Sequence, residues 1–234
     1  MEDIKRIRTI SIFIFIIPVV VLNLCLFISI NYHLLENTFF TVDQIGRSGF
    51  SIPYIDGGLS ISRSARTFPS YLIFKPGMII TSILLIQYWL ANNRLIRELS
   101  GGYRKNKTFL FFGIGSAVFL ILHSIFLGVD YEINLYKFLR IFVLLGFIIF
   151  EIIAQTLLVI NIFKLKSKIE SLINKKILII KILLVSLLII VALLVAPILN
   201  SSDYTHFKHA LEWNYFVGVI LFYLLSRFFW KRTT

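Results

Sequence analysis

The sequence predicts an all-α polytopic membrane protein. It reads as one bundle of six transmembrane helices, with both termini cytoplasmic and a long outer loop between helices one and two. Three observations carry this. Of 234 residues, 58% are hydrophobic and 15% charged, where a soluble domain averages about 45–50% apolar and about 25% charged. The apolar residues fall in solid runs long enough to cross a hydrocarbon core of about 30 Å at about 1.5 Å per helical residue. The basic residues gather in alternate connections, which is the positive-inside pattern. A barrel would alternate apolar and polar residues, and lipid leaves the helix as the other structure that satisfies its own backbone.

The predicted spans are residues 10–31, 71–91, 109–127, 136–163, 177–199 and 213–230, within a single domain of residues 1–234. The first follows Lys5, Arg6 and Arg8 and contains Pro18. Its apolar run outlasts the 7–15 residues of a signal-peptide core and no A-x-A-like site follows, so it reads as a retained helix. Arg94, Arg97, Arg104, Lys105 and Lys107 link spans two and three. Lys164, Lys166, Lys168, Lys175 and Lys176 link four and five, and Arg227, Lys231 and Arg232 close the chain. The opposite connections carry Asp43 and Asp56, Asp130 and Glu132, and Asp203 and Glu212. Together they give an N-in, C-in topology. Trp89, Trp213 and Trp230 fall near span ends, as interfacial anchors do.

A net charge of +12 in a soluble chain suggests nucleic acid. Here the same excess follows from topology, so nucleic acid is not expected as a partner. The basic inner connections suit anionic lipid. Cys25 is the sole cysteine, which excludes an intrachain disulfide. The chain has no Walker loop, G-x-S-x-G, H-E-x-x-H or C-x-x-C. A nucleotide-driven pump and a conventional serine hydrolase are therefore unsupported, and no cofactor is expected.

The longest connection is the outer loop of residues 32–70, beyond the length usual for structureless loops in compact domains. It alternates aromatics with turn residues (FFTVDQIGRSGFSIPYIDGG) and is expected to fold as a cap. Asp56-Gly57-Gly58 should make its turn, because glycine accepts positive φ.

Several side chains carry possible chemistry. Glu151 lies mid-span, where an ionisable group faces the bundle interior and needs a partner. Gln155 shares its face one turn on. The reading is a headgroup ligand or proton relay, or else a structural hydrogen bond. Arg63, Arg66, Lys75 and Arg140 are basic groups on the outer side, against the charge bias. They suit a lipid phosphate, or else snorkel and pair with nearby acids. His33, His123, His206 and His209 fall in the outer half. His123, His206 and His209 with Asp130 form the candidate metal set, although a metal needs three or four converging ligands and the spacing matches no tight motif.

Pro53, Ile55 and Gly57 or Gly58 in a long first outer loop, followed by Phe74 near the start of span two, resemble the Frag/DRAM/Sfk family. Phe150-Glu151 in span four, and His209-Ala210-Leu211-Glu212-Trp213 leading into span six, are similar to that family's later segments. Asp56 departs from it, standing where the family often has serine. The resemblance implies six spans with cytoplasmic termini. It also implies a place among proteins of GPI-anchor lipid remodelling, autophagy modulation or membrane-lipid organisation.

These readings converge on a multi-pass membrane protein that binds, remodels or organises lipid through an outward-facing polar pocket. Glu151, Lys75, Arg63, Arg66, Asp56 and His209 would line it. Two alternatives stand beside it. One is an intramembrane metal-dependent lipid hydrolase or transferase using the outer His and Asp residues. The other is a small transporter or channel with Glu151 as its ion-coupled group.

Overall fold

The computed structural model describes residues 2–35, 38, 49–101, 107–128, 134–195 and 204–231. They form seven α-helices and one 3₁₀ turn, Tyr32–Leu34. The helices are α1 Glu2–Ile30, α2 Ile61–Arg66, α3 Ser70–Leu99, α4 Thr108–Phe126, α5 Asn134–Leu165, α6 Lys175–Val195 and α7 Thr205–Phe229. Among the described residues there is no strand, only an isolated bridge between Ile173 and Trp230. Five helices are long and apolar enough to cross a membrane: α1, α3, α4, the 138–165 part of α5, and α6. This is the composition of an integral multi-pass membrane protein. The sixth predicted span falls on α7, which is not among the five. Its opening turns carry Lys208, His209, Glu212 and Asn214.

Three helices run further than their apolar stretches foretell: α1, α3, and α7, which starts at Thr205 and not at residue 213. α1 starts at Glu2, with Glu2 and Asp3 in its first turn, where acids complement the helix dipole. Ile4 and Ile7, before the predicted span, are buried in helical register with Ile10, Ser11 and Ile14 inside it. α3 continues past residue 91 because Asn92, Leu95 and Ile96 are buried on its inner turns. At about 1.5 Å per residue, α1 and α3 each reach about 43–45 Å, enough to cross core and headgroups together. Pro18 and Pro76 lie inside these two helices. Membrane helices tolerate such positions because neighbouring groups re-satisfy the backbone.

The six long helices form a ring. Each packs on the next in chain order, and α7 closes it against α1. Lipid is as apolar as leucine, so hydrophobic burial does not drive this association. Close packing and polar contacts must. Gly113 of α4 lies flat under the Trp89 indole of α3, and a Cβ there would run into the ring. Gly115 meets Phe150 and Gly146 meets Phe119 in the same way across α4 and α5.

The bundle end that holds the start of α1 and the end of α7 is interlocked by backbone. Asn174 N–H donates to the Phe229 carbonyl at 2.9 Å and Lys231 N–H to the Leu172 carbonyl at 2.9 Å. Arg8 Nη1 donates to the Trp230 carbonyl at 2.9 Å. Asp3 and Arg94 pair at 2.8 Å. α6 is the least enclosed of the five apolar helices: 22% of its apolar stretch is buried, against 39–44% in the others.

Candidate functional site

The polar groups of interest fall into two separate places, the cap strip over one end of the bundle and the bundle interior.

The cap is built on Asp56. Its carboxylate accepts from Ile52 N–H at 2.7 Å, Gly58 N–H at 2.8 Å and Ser51 Oγ at 2.8 Å. The Gly58 and Ile52 amides, then the Ser51 hydroxyl and nearby His206, hold this exposed carboxyl below its ordinary range. Gly57 follows at φ 61°. A Cβ there would overlap the His206 carbonyl of α7, so both the conformation and the close approach require glycine. Ser60 then caps α2, its Oγ accepting from Arg63 N–H at 3.2 Å.

One face of α7 grips this strip by its backbone. His209 Nδ1 lies 3.0 Å from the Gly57 carbonyl. Trp213 Nε1 donates to the Leu59 carbonyl at 2.8 Å. The Glu212 carboxyl accepts from the amides of Ile61 and Ser62. Asn214 Nδ2 reaches the Tyr54 carbonyl at 2.7 Å, and the Tyr54 ring packs 4.9 Å from the Trp213 ring. His209, Glu212 and Trp213 share a helix face at i, i+3 and i+4. The cap strip and the entry to α7 are therefore one docked unit.

The interior holds Glu151, fully buried on α5. Ser116 Oγ of α4 donates to Oε2 at 2.6 Å, and Gln155 Nε2 donates to Oε1 at 2.9 Å. The Tyr223 hydroxyl of α7 also donates to Oε1. Toward the bundle end that holds Trp230 a second cluster follows. Lys181 of α6, also buried, donates from Nζ to Ser226 Oγ at 2.7 Å. Ser226 Oγ lies 2.9 Å from the Tyr88 hydroxyl of α3. Lys181 Nζ stands 3.7 Å from the Phe222 ring centroid and 5.4 Å from that of Phe229, positions that favour a cation. The Tyr88 and Tyr223 rings meet edge to face at 4.9 Å, so the two clusters adjoin.

The expected site residues are thus divided. Asp56 and His209 come together at the cap. Arg63 is exposed on the adjoining α2, with Arg66 half-buried beside it. Lys75 is half-buried on α3, its Nζ 5.3 Å from the Tyr71 ring centroid. Glu151 does not join them; its hydrogen bonds run to α4, to α7 and along α5. His123 is buried against Phe74, with ring centroids 6.3 Å apart, and His206 is exposed near Asp56. Among the described residues no three His, Cys, Asp or Glu side chains gather as metal ligands. Asp130 lies outside the described residues, as do Glu132 and Asp203.

Sequence reasoning missed Lys181, Tyr88, Tyr223, Ser116 and Ser226. The available signal was the single lysine in IIKILLVSLL, inside the apolar run but only a few residues past Lys175 and Lys176.

A lateral cleft of about 400 Å³ opens between α5 and α6. Ile149, Ile152, Ile153 and Thr156 line one wall, and Ile189 and Leu193 the other. It lies along the middle of α5. No protein family, curated protein or solved structure matches this chain.

Proposed function

We propose that this chain is a six-span, N-in, C-in membrane protein that binds membrane lipid and serves its organisation or remodelling. The observation that carries this reading is the apolar cleft between α5 and α6. Its volume falls in the range of about 300–1,000 Å³ typical of ligand sites. Its walls offer hydroxyl chemistry only at Thr156 and otherwise suit an acyl chain. Arg63, Arg66 and Lys75, on α2 and α3 and not among the cleft's lining residues, would offer cations to a lipid phosphate at the bundle's surface. The inner lysines and arginines attract anionic lipid.

Kinship with the Frag/DRAM/Sfk family belongs to the same proposal. It is supported by the docking of its two resembling stretches, 53–58 and 209–213, on one another. The absence of a metal cluster among the described residues leaves the hydrolase alternative without support there. The transport alternative keeps Glu151, which is enclosed on all sides.

Native mass spectrometry of gently purified protein tests the reading. The wild type should retain stoichiometric lipid, and Ala192→Trp, which fills the cleft, should lose most of it. No retained lipid, or equal retention in both proteins, refutes lipid binding at this cleft.

A further inference from the structure

Glu151 and Lys181 are the acid and the base buried within the apolar helices α5 and α6, and each is surrounded as a charged group would be. Three donors converge on the Glu151 carboxyl: Ser116, Gln155 and Tyr223. Carboxylate oxygens accept several hydrogen bonds at once. Lys181 has an acceptor in Ser226 Oγ and two aromatic faces beside it. Both groups would be costly to ionise alone in a bundle surrounded by lipid. They are not in direct contact. Between them stand Tyr223, Tyr88 and Ser226, the first two touching through their rings.

We propose that Glu151 and Lys181 are ionised together as a separated ion pair, a carboxylate and an ammonium each held by its own partners, whose charges balance inside the bundle. The groups facing Glu151 are Ser116 from α4, Gln155 from α5 and Tyr223 from α7. Those facing Lys181 are Ser226, Phe222 and Phe229 from α7, with Tyr88 of α3 behind Ser226. The pair explains why a lysine sits on the inner face of α6, the helix with least other reason to hold a fixed register. The inference rests on membrane embedding and not on lipid binding.

Infrared spectroscopy of the full chain in lipid nanodiscs at neutral pH tests it. Wild type should show no carboxylic-acid C=O band assignable to Glu151. Lys181→Met should create one, because the carboxyl loses its counter-charge and must take up a proton. Glu151→Gln/Lys181→Met should abolish that band and melt no lower than Lys181→Met. A wild-type band that Glu151→Gln removes, or no new band in Lys181→Met, overturns the pair. The two arms use different variants, so either can overturn the pair if the other variant does not fold.

Discussion

Replacing Gly57 with alanine probes the docked cap directly. Its φ of 61° costs an L-residue about 1–2 kcal/mol. The added Cβ cannot be accommodated either, since it would overlap a backbone carbonyl of α7 rather than a movable side-chain tip. The strip must retreat. It then loses the His209 contact at 3.0 Å and strains the bond from Trp213 Nε1 to the Leu59 carbonyl. Unpairing a buried donor and acceptor adds about 1–3 kcal/mol. The cap's docking should weaken by about 2–5 kcal/mol in all, of which even 2 kcal/mol is about thirtyfold in population. Hydrogen–deuterium exchange reads this at the amides of Ile52, Asp56, Gly57 and Gly58, which are bonded within the turn. Gly101 supplies the control. It has φ 68° but open space around its missing Cβ, so Gly101→Ala meets the conformational cost alone, away from the cap. Unchanged cap protection in Gly57→Ala, or equal cap effects from the two variants, would refute the reasoning.

Two further outcomes follow from the same structure. Asp56 has its carboxyl pKa lowered in the fold, so its contribution to the cap is fully present above the unfolded carboxylate value of about 3.9 and is lost only as pH falls through the lower folded value. Limited proteolysis of the 51–60 strip should therefore stay slow down to about pH 4 and quicken below it, while Asp56→Ala should be cut quickly at neutral pH. Gly113→Ala would drive a methyl into the Trp89 indole and should destabilise the bundle by about 1–3 kcal/mol. A thermal melt in detergent, followed by tryptophan fluorescence, checks this, and an unchanged midpoint would mean that α3 and α4 pack less tightly than described.

What the sequence determined by itself was the class of molecule, an all-α multi-pass membrane protein. Solid apolar runs and alternating basic connections are one-dimensional signals, because bilayer thickness and membrane charge asymmetry act on each segment separately. The turn at Asp56-Gly57-Gly58 was legible for a similar reason: positive φ and a carboxylate that bonds its own backbone are local chemistry. Helix ends differ from the apolar runs on α1, α3 and α7 because contact with a neighbour, at Ile4, Leu95 or His209, extends a helix past its apolar run.

Only the tertiary structure decided which polar groups share a site. Glu151 was found from its sequence depth alone, yet its partners come from residues 116 and 223, on two other helices. Lys181 drew no notice because a lysine near a basic connection looks like an anchor until its helix is rotated into place. The rotation of a transmembrane helix is set by its neighbours' packing. A nearly uniform apolar stretch such as α6 carries almost no signal of its own as to which face turns inward.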